Sequence, residues 1–186
     1  MEIILASGSK RRIELLSEIT KDFKILPANI NENIEYKNPF MLTLSLSRQK
    51  ADYVFLENKN ALVIGADTIV CLKDRIFPKP ESEEQAIEFI KVLRGKTHTV
   101  ITAVCFKTKN SEINILDKTG VTFNNLTDKQ VKEYVEKFKP LDKSGSYGIQ
   151  DKFCHIKSYD GDIYTVIGFP VSKVKFVLEN FFKMTV

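Results

Sequence analysis

The chain opens with a short apolar run, Ile3 to Ala6, broken by Ser7-Gly8-Ser9 and resumed at helical spacing by Ile13, Leu15, Leu16 and Ile19. This pattern predicts strand, small-residue loop and helix. Phe23 to Leu26 predicts a second strand, and a polar stretch from Asn29 to Asn38 leads into a long helical pattern from about Met41 to Leu56. Ala61 to Ala66 reads as a buried strand, Ile69 to Leu72 as its neighbour, and Lys73-Asp74-Arg75 as a hairpin turn. Ser82 with Gln85 and Thr127 with Gln130 have capping-box spacing, predicting helices to about Leu93 and, with Val131, Tyr134, Val135 and Phe138 on one face, to about Phe138. Between them Thr99 to Phe106 and Glu112 to Phe123 are β-rich around a turn at Lys109-Asn110. Gly161 to Phe169 predicts a last strand and turn, and Pro170 to Phe182 a closing amphipathic helix with its proline near the first turn. Strands and helices alternate, which predicts an α/β domain, and the long central hairpin predicts a mixed sheet.

At 186 residues, without internal repeat or Gly/Ser/Pro-rich linker, the chain is expected to form a single domain over 1–186. Its 28 Lys plus Arg against 24 Asp plus Glu leave a net charge of +4, spread along the sequence. That balance permits a polyanionic partner but does not indicate nucleic acid, which would need a larger basic surface and base-stacking aromatics. No apolar run nears the ~20 residues that cross a bilayer, so no membrane partner and a cytoplasmic location are expected. Cys71, Cys105 and Cys154 are odd in number and widely spaced, which predicts reduced thiols and neither disulfides nor a zinc knuckle.

Four stretches could carry chemistry. Ser7-Gly8-Ser9-Lys10-Arg11-Arg12 sets three cations at a predicted helix N-terminus, where the helix dipole disfavours them unless an anion binds; backbone amides, hydroxyls and guanidinium forks suit phosphate. A solvated basic turn is the plain alternative. Gly65-Ala66-Asp67-Thr68 places a carboxylate directly after a buried run, where it could hold a divalent cation or take a proton from water, or simply close an Asx-turn. Pro78-Lys79-Pro80 holds one ammonium on a stiff backbone, or is a plain loop. Asp142 to Gln150 contains two glycines that allow close approach and a glutamine able to read a base edge, or is a flexible surface loop. Gly95-Lys96-Thr97 is no P-loop, because Ile90 stands where the first glycine belongs and the order is helix, then motif, then strand. Cys154-His155 with a distant His98 has no metal-ligand spacing, and there is no nucleophile elbow.

In chain order these segments resemble the Maf family of nucleotide pyrophosphatases over nearly the whole sequence. Leu5-Ala6-Ser7-Gly8-Ser9-Lys10-Arg11-Arg12-Ile13-Glu14-Leu15-Leu16 is similar to the family's opening signature, with Lys10 where proline is usual. Ile30-Asn31-Glu32 stands at an acidic pair of which Glu32 is kept. Arg48 with Lys50-Ala51, Gly65-Ala66-Asp67-Thr68, Lys79-Pro80, His98-Thr99-Val100 with Thr102-Ala103-Val104, Asp142 to Gln150, and Gly168-Phe169-Pro170 follow in order. Asp151 takes the place of a glycine.

The resemblance implies an elongated mixed α/β fold similar to the inosine triphosphate pyrophosphatases, with an active cleft between two lobes. It implies hydrolysis of a nucleoside triphosphate to monophosphate and pyrophosphate with a divalent cation, Mg²⁺ or Mn²⁺. By the same resemblance Asp67 is the general base and a metal contact, and Glu32 helps hold the metal. Ser7, Arg12, Lys50 and Lys79 grip phosphate oxygens. Arg11, Thr68 and Gln150 match the branch acting on dTTP and UTP, whereas a 7-methyl-GTP branch tends to an aromatic residue, Gln and Glu there. The remaining alternatives are 7-methyl-GTP hydrolysis and a non-catalytic, nucleotide-binding regulator of septum formation. Homodimers are common in the family.

Overall fold

β1 (Ile3–Leu5) is buried along its length, and α1 (Lys10–Ile19) turns Leu15, Leu16 and Ile19 inward, in a computed structural model that describes residues 1–32, 38–152 and 156–185. β2 (Phe23–Ile25) lies parallel to β1, Ile3 opposite Phe23. α2 (Pro39–Phe55) starts at Asn38, whose side chain accepts from the Phe40 and Met41 amides, with Pro39 in the first turn where its missing N–H leaves no bond unmade.

β3 (Leu62–Leu72) is one strand of 11 residues. The expectation of a strand that ends before Asp67 is therefore corrected: Asp67 and Thr68 lie mid-strand. The ladder carries them across, since Leu62 to Ile64 pair parallel with Ile3 to Leu5 and Val70 to Leu72 pair antiparallel with β4 (Arg75–Phe77). Lys73 makes the intervening turn at φ 54°.

α3 (Glu83–Leu93) is capped by Ser82, whose hydroxyl accepts from the Gln85 amide at 3.2 Å. β5 (Thr97–Lys107) and β6 (Glu112–Phe123) follow, and the Thr108 amide donates to Ser111 across their turn. α4 (Asp128–Phe138) carries the full Thr127–Gln130 capping box. β7 (Ile156–Asp160) pairs antiparallel with β6, Gly120 opposite Asp160. α5 (Ile163–Ile167) and α6 (Val171–Asn180) complete the order. The strands make a seven-stranded mixed sheet in the order β2-β1-β3-β5-β6-β7, with β4 on β3.

The strand expected from Gly161 to Phe169 is a helix in its middle, and the strand lies just before it. Gly161 sits at φ 125°, where a Cβ would stand 2.6 Å from the Thr119 hydroxyl, and so ends the ladder. The Asp162 carboxylate then accepts from the Tyr164 amide at 3.0 Å, and its carbonyl accepts from the Thr119 hydroxyl at 2.8 Å. These fixed contacts start a helical turn despite the β-branched residues of Ile163–Ile167. β7 itself is mostly exposed, which is why no apolar run announced it.

The chain divides into two compact units, the first made of Met1–Asp67, Thr102–Asp117 and Gly168–Val186, the second of Thr68–Ile101 and Lys118–Ile167. In the first, Ile4, Ala6, Ala51, Val54, Phe55, Val63 and Cys105 form a core, and α1 packs on α6. In the second, α3 packs on α4 over Phe77, Phe89, Leu93, Val121, Phe123 and Val135, with Phe77 edge-on to Phe89 at 5.4 Å. Each large apolar side chain so buried contributes ~1.5–3 kcal/mol. Cys71 and Cys105 are buried free thiols, and burial pushes Cys105 up to about 12. Cys154 and His155 lie outside the described residues, as does part of the polar stretch before α2. Among the described residues no helix is long and apolar enough to cross a membrane.

Candidate active site

In the first unit the site grows from β3. Side chains alternate along a strand, so positions 65 and 67 share a face, and that face is covered by α2. A Cβ at Gly65 would stand 2.3 Å from the Ser47 carbonyl oxygen and 2.6 Å from the Ala51 nitrogen. The missing side chain lets the helix backbone lie directly on the strand. Lys50, next to Ala51 and only 7% exposed, thereby reaches Asp67: Nζ donates to Oδ1 at 2.6 Å. The same ammonium pairs with Glu32 Oε1 at 2.8 Å. Gly65 is thus a site-building residue whose role the motif did not disclose, although glycine inside an apolar strand run is a known sign of close backbone approach.

The second group lies at the start of α1. Ser9 is the N-cap residue but makes no side-chain capping bond; its amide donates to the Ser7 hydroxyl at 3.3 Å. No acidic residue occupies the first turn, which holds Lys10, Arg11 and Arg12 instead. Arg12 donates through Nη1 to Ser7 Oγ at 3.3 Å and to the Ala66 carbonyl at 2.9 Å, and through Nε to the Gly168 carbonyl at 3.0 Å. It therefore ties together the loop after β1, the middle of β3 and the segment before α6. Burial lowers the Arg12 guanidinium from its ordinary value, Asp67 and Glu32 pull it back up, and Arg11 acts with burial. With a reference value above 12 it stays charged.

Ser7, Arg12, Glu32, Lys50 and Asp67 are thus brought together, with Arg11 one residue away on α1. Two carboxylates among three cations leave a positive balance suited to a polyanion. The two carboxylates converge on one ammonium, and two hard oxygen donors are what Mg²⁺ or Mn²⁺ takes from a protein when substrate oxygens and water supply the remaining ligands. The donor set fits such an ion; among the described residues there is no cluster of three or more metal-ligating side chains.

In the second unit the segment from Asp142 to Gln150 is built in, and the alternative of a flexible surface loop is corrected. Gly145, Ser146 and Tyr147 are buried. Gly145, at φ 72°, would press a Cβ to 2.9 Å from Val70, its amide donates to the Pro78 carbonyl at 3.3 Å, and the Ser144 hydroxyl donates to the Thr68 carbonyl at 3.0 Å. The segment thereby gathers Thr68 and the Pro78-Lys79-Pro80 loop beside it, with Lys79 exposed between the bonded Pro78 and the buried Pro80. Gln150 is exposed on a turn closed by the Asp151 amide donating to Gly148. His98, whose sequence spacing suits no metal site, is an anchor for the segment: its Nε2 lies 2.8 Å from the Tyr147 hydroxyl, and both rings pack edge-on against Phe123.

The profile of the family described as Maf-like protein matches residues 2–181. A dTTP/UTP pyrophosphatase of Thermosipho africanus (strain TCF52B) is 44% identical over 175 residues, covering 94% of this chain and 90% of that protein. One from Bacillus cereus (strain B4264) is 41% identical over 182 residues, 97% of this chain and 95% of that protein. Among solved structures, the Staphylococcus aureus Ham1 protein superposes with a TM-score of 0.58 at 14% identity, covering 96% of this chain and 98% of that one, a likeness of fold alone. With the family profile spanning all but the chain's ends and relatives above 40% identity over nearly its full length, the chain belongs to the Maf-like protein family.

Proposed function

We propose that the protein, acting as one domain over its whole length, is a nucleoside triphosphate pyrophosphatase that converts dTTP and UTP to the monophosphate and pyrophosphate. The observation that carries this reading is the pairing of one buried lysine, Lys50, with both Asp67 and Glu32 beside the cationic start of α1. The names of the relatives, dTTP/UTP pyrophosphatases, support the substrate class.

In this reading Asp67 is the general base. Its Oδ1 faces Lys50, and Oδ2 accepts the proton of a water aimed at the α-phosphorus. Lys50 fixes the Asp67 and Glu32 carboxylates and adds positive charge where phosphate oxygens lie. The Ser7 hydroxyl and the amides at the start of α1 donate to phosphate oxygens. Arg12 contributes charge while its hydrogen bonds keep Ser7 and the strand in place. A divalent cation held by Glu32 and Asp67 would supply neutralisation of the charge that develops on the leaving pyrophosphate. Lys79 is assigned to phosphate contact, and Arg11, Thr68 and Gln150 to base recognition, on their match to the family's motifs.

The test is product analysis with dTTP, UTP, CTP, GTP and 7-methyl-GTP in the presence of Mg²⁺ or Mn²⁺. Pyrophosphate from dTTP and UTP, lost on chelation, is expected. Turnover of 7-methyl-GTP alone would overturn the assignment of Arg11, Thr68 and Gln150. Tight nucleotide binding without any product would favour a regulator over an enzyme.

A further inference from the structure

The turn that presents Gln150 is held from outside by the phenol of Tyr134. Tyr134, on the buried face of α4 and stacked on Phe138 at 5.1 Å, places its hydroxyl between both ends of the turn Gly148 to Asp151. The hydroxyl accepts from the Gly148 amide at 3.0 Å and donates to the Asp151 carboxylate oxygen Oδ2. The Asp151 amide closes the turn on the Gly148 carbonyl at 3.1 Å. Fit is tight: a Cβ on Gly148 would stand 2.9 Å from that same Oδ2, so glycine there is what lets the carboxylate lie against the backbone and still meet Tyr134. One hydroxyl thus uses its donor and an acceptor site to lock the two ends of a four-residue turn, while Ile149 and Gln150 between them are left without a role in the lock.

We propose that Tyr134 and Asp151 are positioning residues for nucleobase recognition, holding Gln150 in one orientation before the nucleotide arrives. This rests on the assignment of Gln150 to the base. A glutamine offers one donor and one acceptor, and distinguishes an imide edge from the amino edges of cytosine or guanine only if its amide plane is fixed. A free turn would pay that ordering cost on binding and would accept several orientations. The hydrogen bonds by which Tyr134 holds the turn lie within the second unit, at the segment that carries Gln150, so the lock is expected to act on base choice and not on the chemical step.

The experiment compares wild type, Tyr134→Phe, Asp151→Asn and Gln150→Ala on dTTP, UTP, CTP and GTP, with amide exchange at Gly148 as a second readout. Tyr134→Phe and Asp151→Asn should each raise KM for dTTP and UTP about tenfold, the effect of losing one charge-assisted hydrogen bond, with kcat within about twofold. The preference over CTP and GTP should shrink accordingly, and Gly148 exchange should accelerate in Tyr134→Phe. Combining either change with Gln150→Ala should add little, because both act through the same side chain. Asp151→Asn, in a partly exposed turn, keeps the test valid if Tyr134→Phe fails to fold. If Gln150→Ala destroys the preference while both lock variants keep it, the positioning role is wrong and the base assignment stands. If Gln150→Ala leaves the preference intact, the base assignment fails and the proposal falls with it. An equal loss for every nucleotide in the lock variants would overturn the proposal by showing a merely structural turn.

Discussion

Lys50 is a cation carried into the interior, 7% exposed, and it is tolerated because two carboxylates meet it. A buried charge without partners would cost several kcal/mol, so the helix that carries Lys50 and the strand that carries Asp67 are coupled through charge as well as through packing. His98 shows the opposite solution. It is 2% exposed, its Nε2 faces the Tyr147 hydroxyl, and its Nδ1 has no hydrogen-bond partner among the described residues. Burial pulls its pKa from 6.5 down to about 4. Since the folded value is the lower one, the unfolded chain takes up a proton between these limits and the folded chain does not. The stability tied to a neutral His98 is complete above about pH 6.5 and is lost as pH falls toward 4, by up to about 3 kcal/mol. Urea unfolding at pH 7, 6, 5 and 4.5 should show this fall in wild type and a shallower one in His98→Gln. Parallel pH profiles would mean that other groups govern acid sensitivity.

At the scale of elements, the contact of α2 with β3 decides the geometry of the first unit. Gly65→Ala would drive a methyl group into helix backbone atoms, which cannot rotate aside. The expected result is a loss of about 2 kcal/mol or more and a fall in turnover of tenfold or more, as Lys50 is drawn away from Asp67. Gly120→Ala is the control: a Cβ there meets nothing closer than 3.8 Å, and stability and rate should both stay near wild type. Unchanged turnover in Gly65→Ala would separate the helix position from the site. Much of this level was legible in the sequence. The capping residues Ser82 and Thr127 start their helices as expected, and the run Ile3 to Ala6 leads into its helix through the small-residue loop. Two elements were not. β3 runs on through Asp67 because ladders on its flanks outweigh the polar pair, and Ile163–Ile167 is helical because Gly161 and Asp162 are fixed by Thr119. Both are tertiary effects that no local pattern carries.

At the scale of the molecule, residues far apart in sequence were legible as a set only through their order along the chain, because each stretch alone had an ordinary reading. Within the first unit Ser7, Arg12, Glu32, Lys50 and Asp67 do meet, and within the second Thr68 is bonded to the segment that carries Gln150. What order could not convey was attachment: that Arg12 spends hydrogen bonds on Ala66 and Gly168, that Gly65 seats α2, and that Tyr134 holds the Gln150 turn. These depend on close approaches set by packing.

If water attacks the α-phosphorus with Asp67 as base, hydrolysis of dTTP in 18O-labelled water places the oxygen of that water on one product alone. The label should appear in the monophosphate and not in pyrophosphate, and Asp67→Asn should slow its incorporation by about 100-fold or more while nucleotide still binds. Label in pyrophosphate or orthophosphate, or an undiminished rate in Asp67→Asn, would contradict it.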